Sequence, residues 1–225
     1  MHTVATPLHA EAAYPVRVHV MPALTRRNRL TVAFRPLLAL PHFLLVGGPV
    51  AAGAWWAWHA EAGSRQDWIV NWGVFGSVAV VAAVISWFAI LFADRHPDGL
   101  WELGEYYLRW RVRSVAYLAL LRDEYPPFGD GRYPALMYLT RPVGPRDKPT
   151  VVLRLILVLP HVLLLSLLGF AWAVSTAIAW CSILITGRFP EPLYRFGVGM
   201  LRWNIRLEAY ALLLRDEFPP FSLDD

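Results

Sequence analysis

The chain has 225 residues, of which 56% are hydrophobic and 17% charged, with a mean hydropathy of +0.40. That balance excludes an ordinary water-soluble core, in which charged residues are spread throughout and do not gather between long apolar blocks. The formal net charge of +4 comes almost wholly from arginines that flank those blocks, so anionic lipid head groups, and not nucleic acid, are the expected partner.

Residues 1–13 contain no continuous hydrophobic stretch, so no cleavable signal is expected and insertion is left to the first apolar span. After Tyr14-Pro15, Val16, Val18 and Val20 alternate with Arg17 and His19, the period of a half-buried strand. Two apolar runs follow, about 34–58 and 68–92, each long enough to cross a hydrocarbon layer of about 30 Å as a helix. They are separated by the hydrophilic patch His59 to Asp67. Trp55, Trp56, Trp58, Trp68 and Trp72 cluster around it as an interfacial aromatic belt would.

From about 98 to 121, Leu100, Leu103, Tyr107, Trp110, Tyr117 and Leu121 mark one stripe of a helix, with Arg109 and Arg113 off it. Pro126-Pro127-Phe128 ends that helix, and residues 129–132 form a joint. Tyr133-Pro134 then opens a second alternating run, Ala135, Met137 and Leu139, expected to pair with the first because neither strand is stable alone. The apolar block at about 151–186 would be about 50 Å long as one helix. Two readings follow, a compressed hairpin turning near Gly169 or one tilted span entered through a break at Pro160. A last amphipathic helix, about 191–214, carries Arg195, Arg202 and Arg206, and a tail of 222–225 follows.

The chain repeats itself. Tyr14-Pro15, Arg35 and Leu40-Pro41-His42 match Tyr133-Pro134, Arg154 and Leu159-Pro160-His161 at a constant offset of about 119 positions. From Trp87 onward the offset is about 93, aligning Leu108-Arg109-Trp110 with Leu201-Arg202-Trp203 and Arg122-Asp123-Glu124 with Arg215-Asp216-Glu217. Unit one therefore runs 14–128 and unit two 133–221, with an insertion of about 26 residues in the first.

These features predict an all-α integral membrane protein of two tandem repeats. Each repeat is a transmembrane helical hairpin plus an interfacial amphipathic helix, with a short β-strand before it. Arg26, Arg27, Arg29 and Arg35 precede the first span while the patch at 59–67 holds one arginine, so both termini are expected in the cytoplasm and the chain in the cell (inner) membrane.

The Leu-Pro-His segments, the Trp-Phe-Ala-Ile-Leu-Phe run followed by Arg-x-Pro, the Leu-Arg-Trp helices and the closing Asp-Glu-Tyr-Pro-Pro-Phe resemble a family of bacterial membrane proteins catalogued as domain of unknown function 4389. The resemblance covers nearly the whole chain and departs at Ala93-Asp94-Arg95, where the family commonly has Thr-Gly-Arg, as at Thr186-Gly187-Arg188. It implies a membrane protein and carries no assigned activity.

Two groups of residues are candidates for function. Arg109, Arg113, Arg202 and Arg206 form paired basic faces suited to phosphate, since a guanidinium donates two parallel hydrogen bonds. His42, His161, Arg35 and Arg154 are ionisable side chains in apolar runs, costly unless used. Each histidine follows a proline whose missing N–H frees a carbonyl one turn back, which the imidazole would satisfy. No cysteine or histidine cluster has metal-ligand spacing, so no metal or cofactor is expected. No nucleophile elbow, phosphate-binding glycine loop or triad is present. The expected function is that of a non-catalytic accessory protein binding membrane lipid, a membrane protein partner or a second copy of itself. The alternatives are a small transporter or channel component with a site between parallel repeats and a membrane enzyme acting on a lipid or phospho-lipid.

Overall fold

The computed structural model describes residues 14–48 and 65–224, and for 65–72 the backbone alone. The fold is mostly helical with one two-stranded sheet. Strand β1 (Val16–Val20) is followed by α1 (Arg29–Ala33), α2 (Arg35–Val46), α3 (Arg65–Ala93) and α4 (Asp98–Leu118). Then come β2 (Ala135–Leu139), α5 (Lys148–Val152), α6 (Arg154–Thr186) and α7 (Glu191–Ala211).

The strands pair with each other, antiparallel, with Val18 opposite Met137 at the centre. Those two residues stand at matched positions of the sequence repeat. Val16, Val18, Val20, Ala135 and Met137 are buried and Arg17, His19 and Tyr138 exposed, so one face of the ribbon packs inward and the other is bare.

The amphipathic stretches become α4 and α7, which pack on each other, with β2 against α4 and β1 against α7. On the side away from the sheet, α2 and α3 pack on α4, and α6 packs on α7. Three layers result: a ribbon, a middle pair of helices and an outer pair of long apolar rods. The sequence reading laid α4 and α7 on a surface with a bare arginine face. They are instead enclosed, with Arg111, Arg113 and Arg206 buried, because the sheet and the rods cover opposite sides of each.

The rods correct the hairpin expectation for 151–186. Helix α6 runs unbroken for 33 residues through both Pro160 and Gly169. Nothing at 166–173 stops it, since a single glycine costs a helix only about 1 kcal/mol and no turn-forming residues flank it. Its buried residues, Arg154, His161, Leu165, Gly169, Trp172, Ser175, Ala179 and Ile183, recur at helical spacing as one stripe from end to end. The first rod is the same object interrupted. Arg35 meets Tyr117, His42 meets Trp110 and Phe75 meets Tyr107, so α2 and the part of α3 beyond Gly73 lie head to tail along α4. The break is at Gly73, with φ of 68°, where a Cβ would stand 2.5 Å from the backbone of Leu45 and Gly47. Only glycine fits that conformation and that approach. The expected span ends at 49–58, the patch at 59–64 and residues 1–13 lie outside the described residues, and so do the tryptophan side chains around the patch.

Gly73–Ala93 and Arg154–Thr186 are long and apolar enough to cross a membrane, and much of each is exposed. Leu155, Leu163, Leu167 and Ile185 on α6 and Phe92 on α3 are each more than 70% exposed, a density of bare apolar surface that water-soluble monomers rarely carry.

Candidate functional site

Where α4 and α7 end, the backbone makes the same unusual turn twice. Leu120 and Leu213 adopt left-handed φ values of 63° and 62°, a conformation that costs a branched residue about 1–2 kcal/mol. In each case the chain closes a six-residue loop, Leu121 N–H to Ala116 O and Leu214 N–H to Ala209 O, the helix-ending motif in which glycine is usual. The leucines are kept because their side chains are buried and their carbonyls are held. Arg27 donates to Leu120 O at 2.5 Å and Arg146 to Leu213 O at 2.7 Å.

Around each turn two arginines converge on one aspartate. Arg27 and Arg35 lie 2.6 and 2.8 Å from Asp123; Arg146 and Arg154 lie 2.6 and 2.9 Å from Asp216. Arg35 also donates to Tyr117 O and Arg122 O and stacks 3.9 Å over the Tyr117 ring. Arg154 repeats this on Tyr210 O, Arg215 O and the Tyr210 ring at 3.8 Å. Burial alone would raise the Asp123 carboxyl, but the hydrogen bonds and charges of Arg27 and Arg35 and the Asn28 N–H outweigh it and hold the group below the usual carboxylate range. Asp216 is lowered in the same way, burial being overcome by Arg146 and Arg154. The clusters seal the ends of the middle helices, and their carbonyls and charges are matched within the protein.

Beside each cluster opens an apolar groove shared between the units. One, of about 430 Å³, lies between Arg35, Leu118–Leu120 and the α6 residues Gly169, Trp172 and Thr176. The other, of about 520 Å³, lies between Arg154, Ala211–Leu213 and the α3 residues Val80, Val84 and Trp87. Each groove thus joins one unit's first helix start and middle-helix end to the other unit's rod. Indole hydrogen bonds tie the exchange: Trp87 donates to Val151 O at 3.0 Å and Trp180 to Val32 O at 2.9 Å.

The two histidines are buried and their imidazoles bond to tryptophans, not to the carbonyls freed by Pro41 and Pro160. Trp110 Nε1 donates to His42 Nδ1 at 3.1 Å and Trp203 Nε1 to His161 Nδ1 at 3.0 Å. Each Nδ1 is therefore an acceptor and the ring's proton sits on Nε2. Phe128 stacks on His42 at 4.4 Å and Phe221 on His161 at 4.0 Å, so the Pro-Pro-Phe segments fold back as lids on the rings. This is an anchoring role. Among the described residues no group of three or more histidine, cysteine, aspartate or glutamate side chains is placed to hold a metal ion.

The four arginines read as a head-group site are not brought together. Arg109 pairs with Glu105 at 2.5 Å and is partly exposed. Arg113 is buried on Gly129 O, Arg202 donates to Val18 O at the centre of the ribbon, and Arg206 to Ser222 O and Asp224 O. Asp123 and Asp216 serve Arg27, Arg35, Arg146 and Arg154, and Glu124 and Glu217 serve Arg122 and Arg215. Arg27 and Arg146 were legible as further matched arginines, at the same offset as Arg35 and Arg154. One central contact had no such signal. Arg111 Nε lies 2.6 Å from Glu208 Oε2, both fully buried where α4 crosses α7, and Arg111 also donates to Val46 O and Gly48 O at the end of α2. Burial pushes the Glu208 carboxyl up against the pull of Arg111.

Exposed cations gather at the two ends of the rods. The start of the first rod and the end of the second meet through Arg27 N–H to Gly187 O, bringing Arg26, Arg29 and Arg188 to one end. Arg95, Arg141 and Lys148 stand at the other, where Lys148 bonds Asp94.

The family model for a domain of unknown function, DUF4389, matches residues 68–129 and 148–222, two tandem segments that together cover more than half of the chain. The chain belongs to that family. No curated protein and no solved structure matches it.

Proposed function

We propose that this protein is a non-catalytic membrane component that seats its long apolar helices in lipid and binds anionic phospholipid head groups at both ends of them. The observation that carries the reading is the placement of exposed arginines at the rod ends, Arg26, Arg29 and Arg188 at one and Arg95 at the other, beside apolar surface bare over the whole length of α6. Apolar burial would supply most of the binding, and each arginine near an anionic surface adds about 1 kcal/mol. Arg109, the most accessible of Arg109, Arg113, Arg202 and Arg206, would add a lesser basic surface. Arg113 and Arg206 already use protein carbonyls, so a head-group role for them requires giving those up.

Native mass spectrometry of the detergent-purified protein tests this. The expected result is retained phosphatidylglycerol or a comparable anionic lipid, reduced several-fold when Arg26, Arg29, Arg95 and Arg188 are all changed to glutamine. Equal retention of zwitterionic and anionic lipid by both proteins would refute head-group selection.

A further inference from the structure

We propose that the rods do not cross the bilayer but lie in the plane of one leaflet, with the two-stranded ribbon in water directly opposite them. The inference rests on the membrane-bound reading above and fixes its geometry. In the ribbon Val16 stands opposite Leu139, the counterpart of Val20, and Val20 opposite Ala135, the counterpart of Val16, so the pairing is centred on Val18 and its own counterpart Met137. A half-turn about the line through that pair, perpendicular to the ribbon, therefore exchanges the strands while keeping the same face inward. The same half-turn accounts for the exchanged indole bonds to Val151 O and Val32 O. Because each rod begins where the other ends, the line passes between their middles, and the ribbon is centred beneath them.

Two consequences exclude a crossing. If the rods ran from one side of the membrane to the other, the ribbon would sit at mid-depth, where a two-stranded sheet with no further strand on either edge among the described residues and outward-facing Arg17 and His19 would leave backbone and charge in hydrocarbon. The exposed cations would also divide between opposite sides, Arg29 and Arg188 on one and Arg95 on the other, against the one-sided distribution of arginine in membrane proteins. Laid flat, both ends and the ribbon share one aqueous side. The length agrees: at 1.5 Å per residue α6 is about 50 Å long, against a hydrocarbon thickness of about 30 Å, whereas a helix lying flat has no length to match. An apolar layer one helix deep, backed by an amphipathic layer, has the build of an interfacial protein.

The test uses the full chain in vesicles of known orientation, with Cys181→Ser to remove the exposed native thiol and one new cysteine at a time. Thr25→Cys and Val143→Cys report the two ends of the rods and Arg17→Cys the outer face of the ribbon, all three exposed positions. A membrane-impermeant maleimide should label all three from the same side and none from the other. A nitroxide on Leu167→Cys, on the bare face of α6, should report a depth within that same leaflet. Labelling of Thr25→Cys and Val143→Cys from opposite sides overturns the in-plane arrangement and leaves lipid binding standing. Recovery of the protein outside the membrane fraction overturns both.

Discussion

Replacing Arg154 with methionine would remove a guanidinium that is 2% exposed while keeping an unbranched apolar side chain in its place. The variant loses hydrogen bonds to Tyr210 O at 3.2 Å and Arg215 O at 2.7 Å, an ion pair to Asp216 at 2.9 Å and the stack on Tyr210. Arg215 O, left without that donor, costs about 1–3 kcal/mol, the lost bond to Tyr210 O, which keeps the Leu213 N–H, about 0.5–1.5, and the stack about 0.5–2. Asp216 keeps Arg146, so its charge is not stranded, and the total falls at about 3–5 kcal/mol, the range for breaking a buried pair from one side. Asp216→Asn, which strands two guanidinium groups, should cost a similar amount. Because both changes empty one cluster, the double variant should be more stable than the sum predicts by about 1–3 kcal/mol, whereas Arg35→Met and Arg154→Met, in separate clusters, should add within about 0.5. Unfolding in detergent, followed by tryptophan fluorescence, reads this as a Tm loss of roughly 6–20 °C per single variant, at about 2–4 °C per kcal/mol for a chain of this size. A loss under about 1 kcal/mol for either single change, by the standard of a surface pair, or strict additivity of Arg154→Met with Asp216→Asn, would refute the claim that these charges act as buried units.

Acidification should act on the same clusters. Asp123 and Asp216 have folded pKa values below their unfolded ones, so their contribution is complete above about pH 4 and is lost as pH falls through the lower folded values; Tm should drop as pH is lowered below about 4, and by less in Asp216→Asn. At Leu213 the usual order of helix-forming residues should invert, with Leu213→Gly more stable than Leu213→Ala by about 1 kcal/mol in chemical unfolding, because glycine alone adopts the left-handed turn without strain. Gly73→Ala should destabilise by about 1–3 kcal/mol, since its methyl would meet the Leu45 carbonyl. Trp203→Phe should cost about 1–3 kcal/mol by stranding the buried His161 Nδ1 acceptor, and the further change His161→Phe should recover part of it in the same assay.

The ribbon was legible because alternation at 16–20 and 135–139 is a strong short-range signal and because the repeat gave each strand one natural partner. The middle helices were legible from their apolar stripes. Their enclosure was not, because a basic face reads alike whether it meets phosphate or the carbonyls of Gly129 and Ser222. The turn expected near Gly169 came from assuming that an apolar block must cross the bilayer, so that one helix of that length seemed excluded. Periodicity alone, reading the stripe from Arg154 to Ile183, would have found the single helix. Of the site, Arg35, Arg154, His42 and His161 were visible as ionisable residues in apolar runs, but their partners depend on where the chain folds back after each middle helix. Arg111 and Glu208 stand opposite nothing comparable in the repeat, and comparison of the two copies passes over such residues.

That last pair bears on why the two halves choose each other. In the other copy the positions of Arg111 and Glu208 are held by Asn204 and Val115, all on the crossing of α4 and α7. Two copies of the first half, docked in the same way, would set each buried guanidinium against a valine; two copies of the second would set each carboxylate against an asparagine. Either self-pairing strands charges in the core, at several kcal/mol each, while the mixed pairing joins them. A partner is selected as much by what its rivals leave unpaired as by what it satisfies. Chains severed within residues 129–132 and produced together should therefore recombine as one of each half, with no stable pair of identical halves.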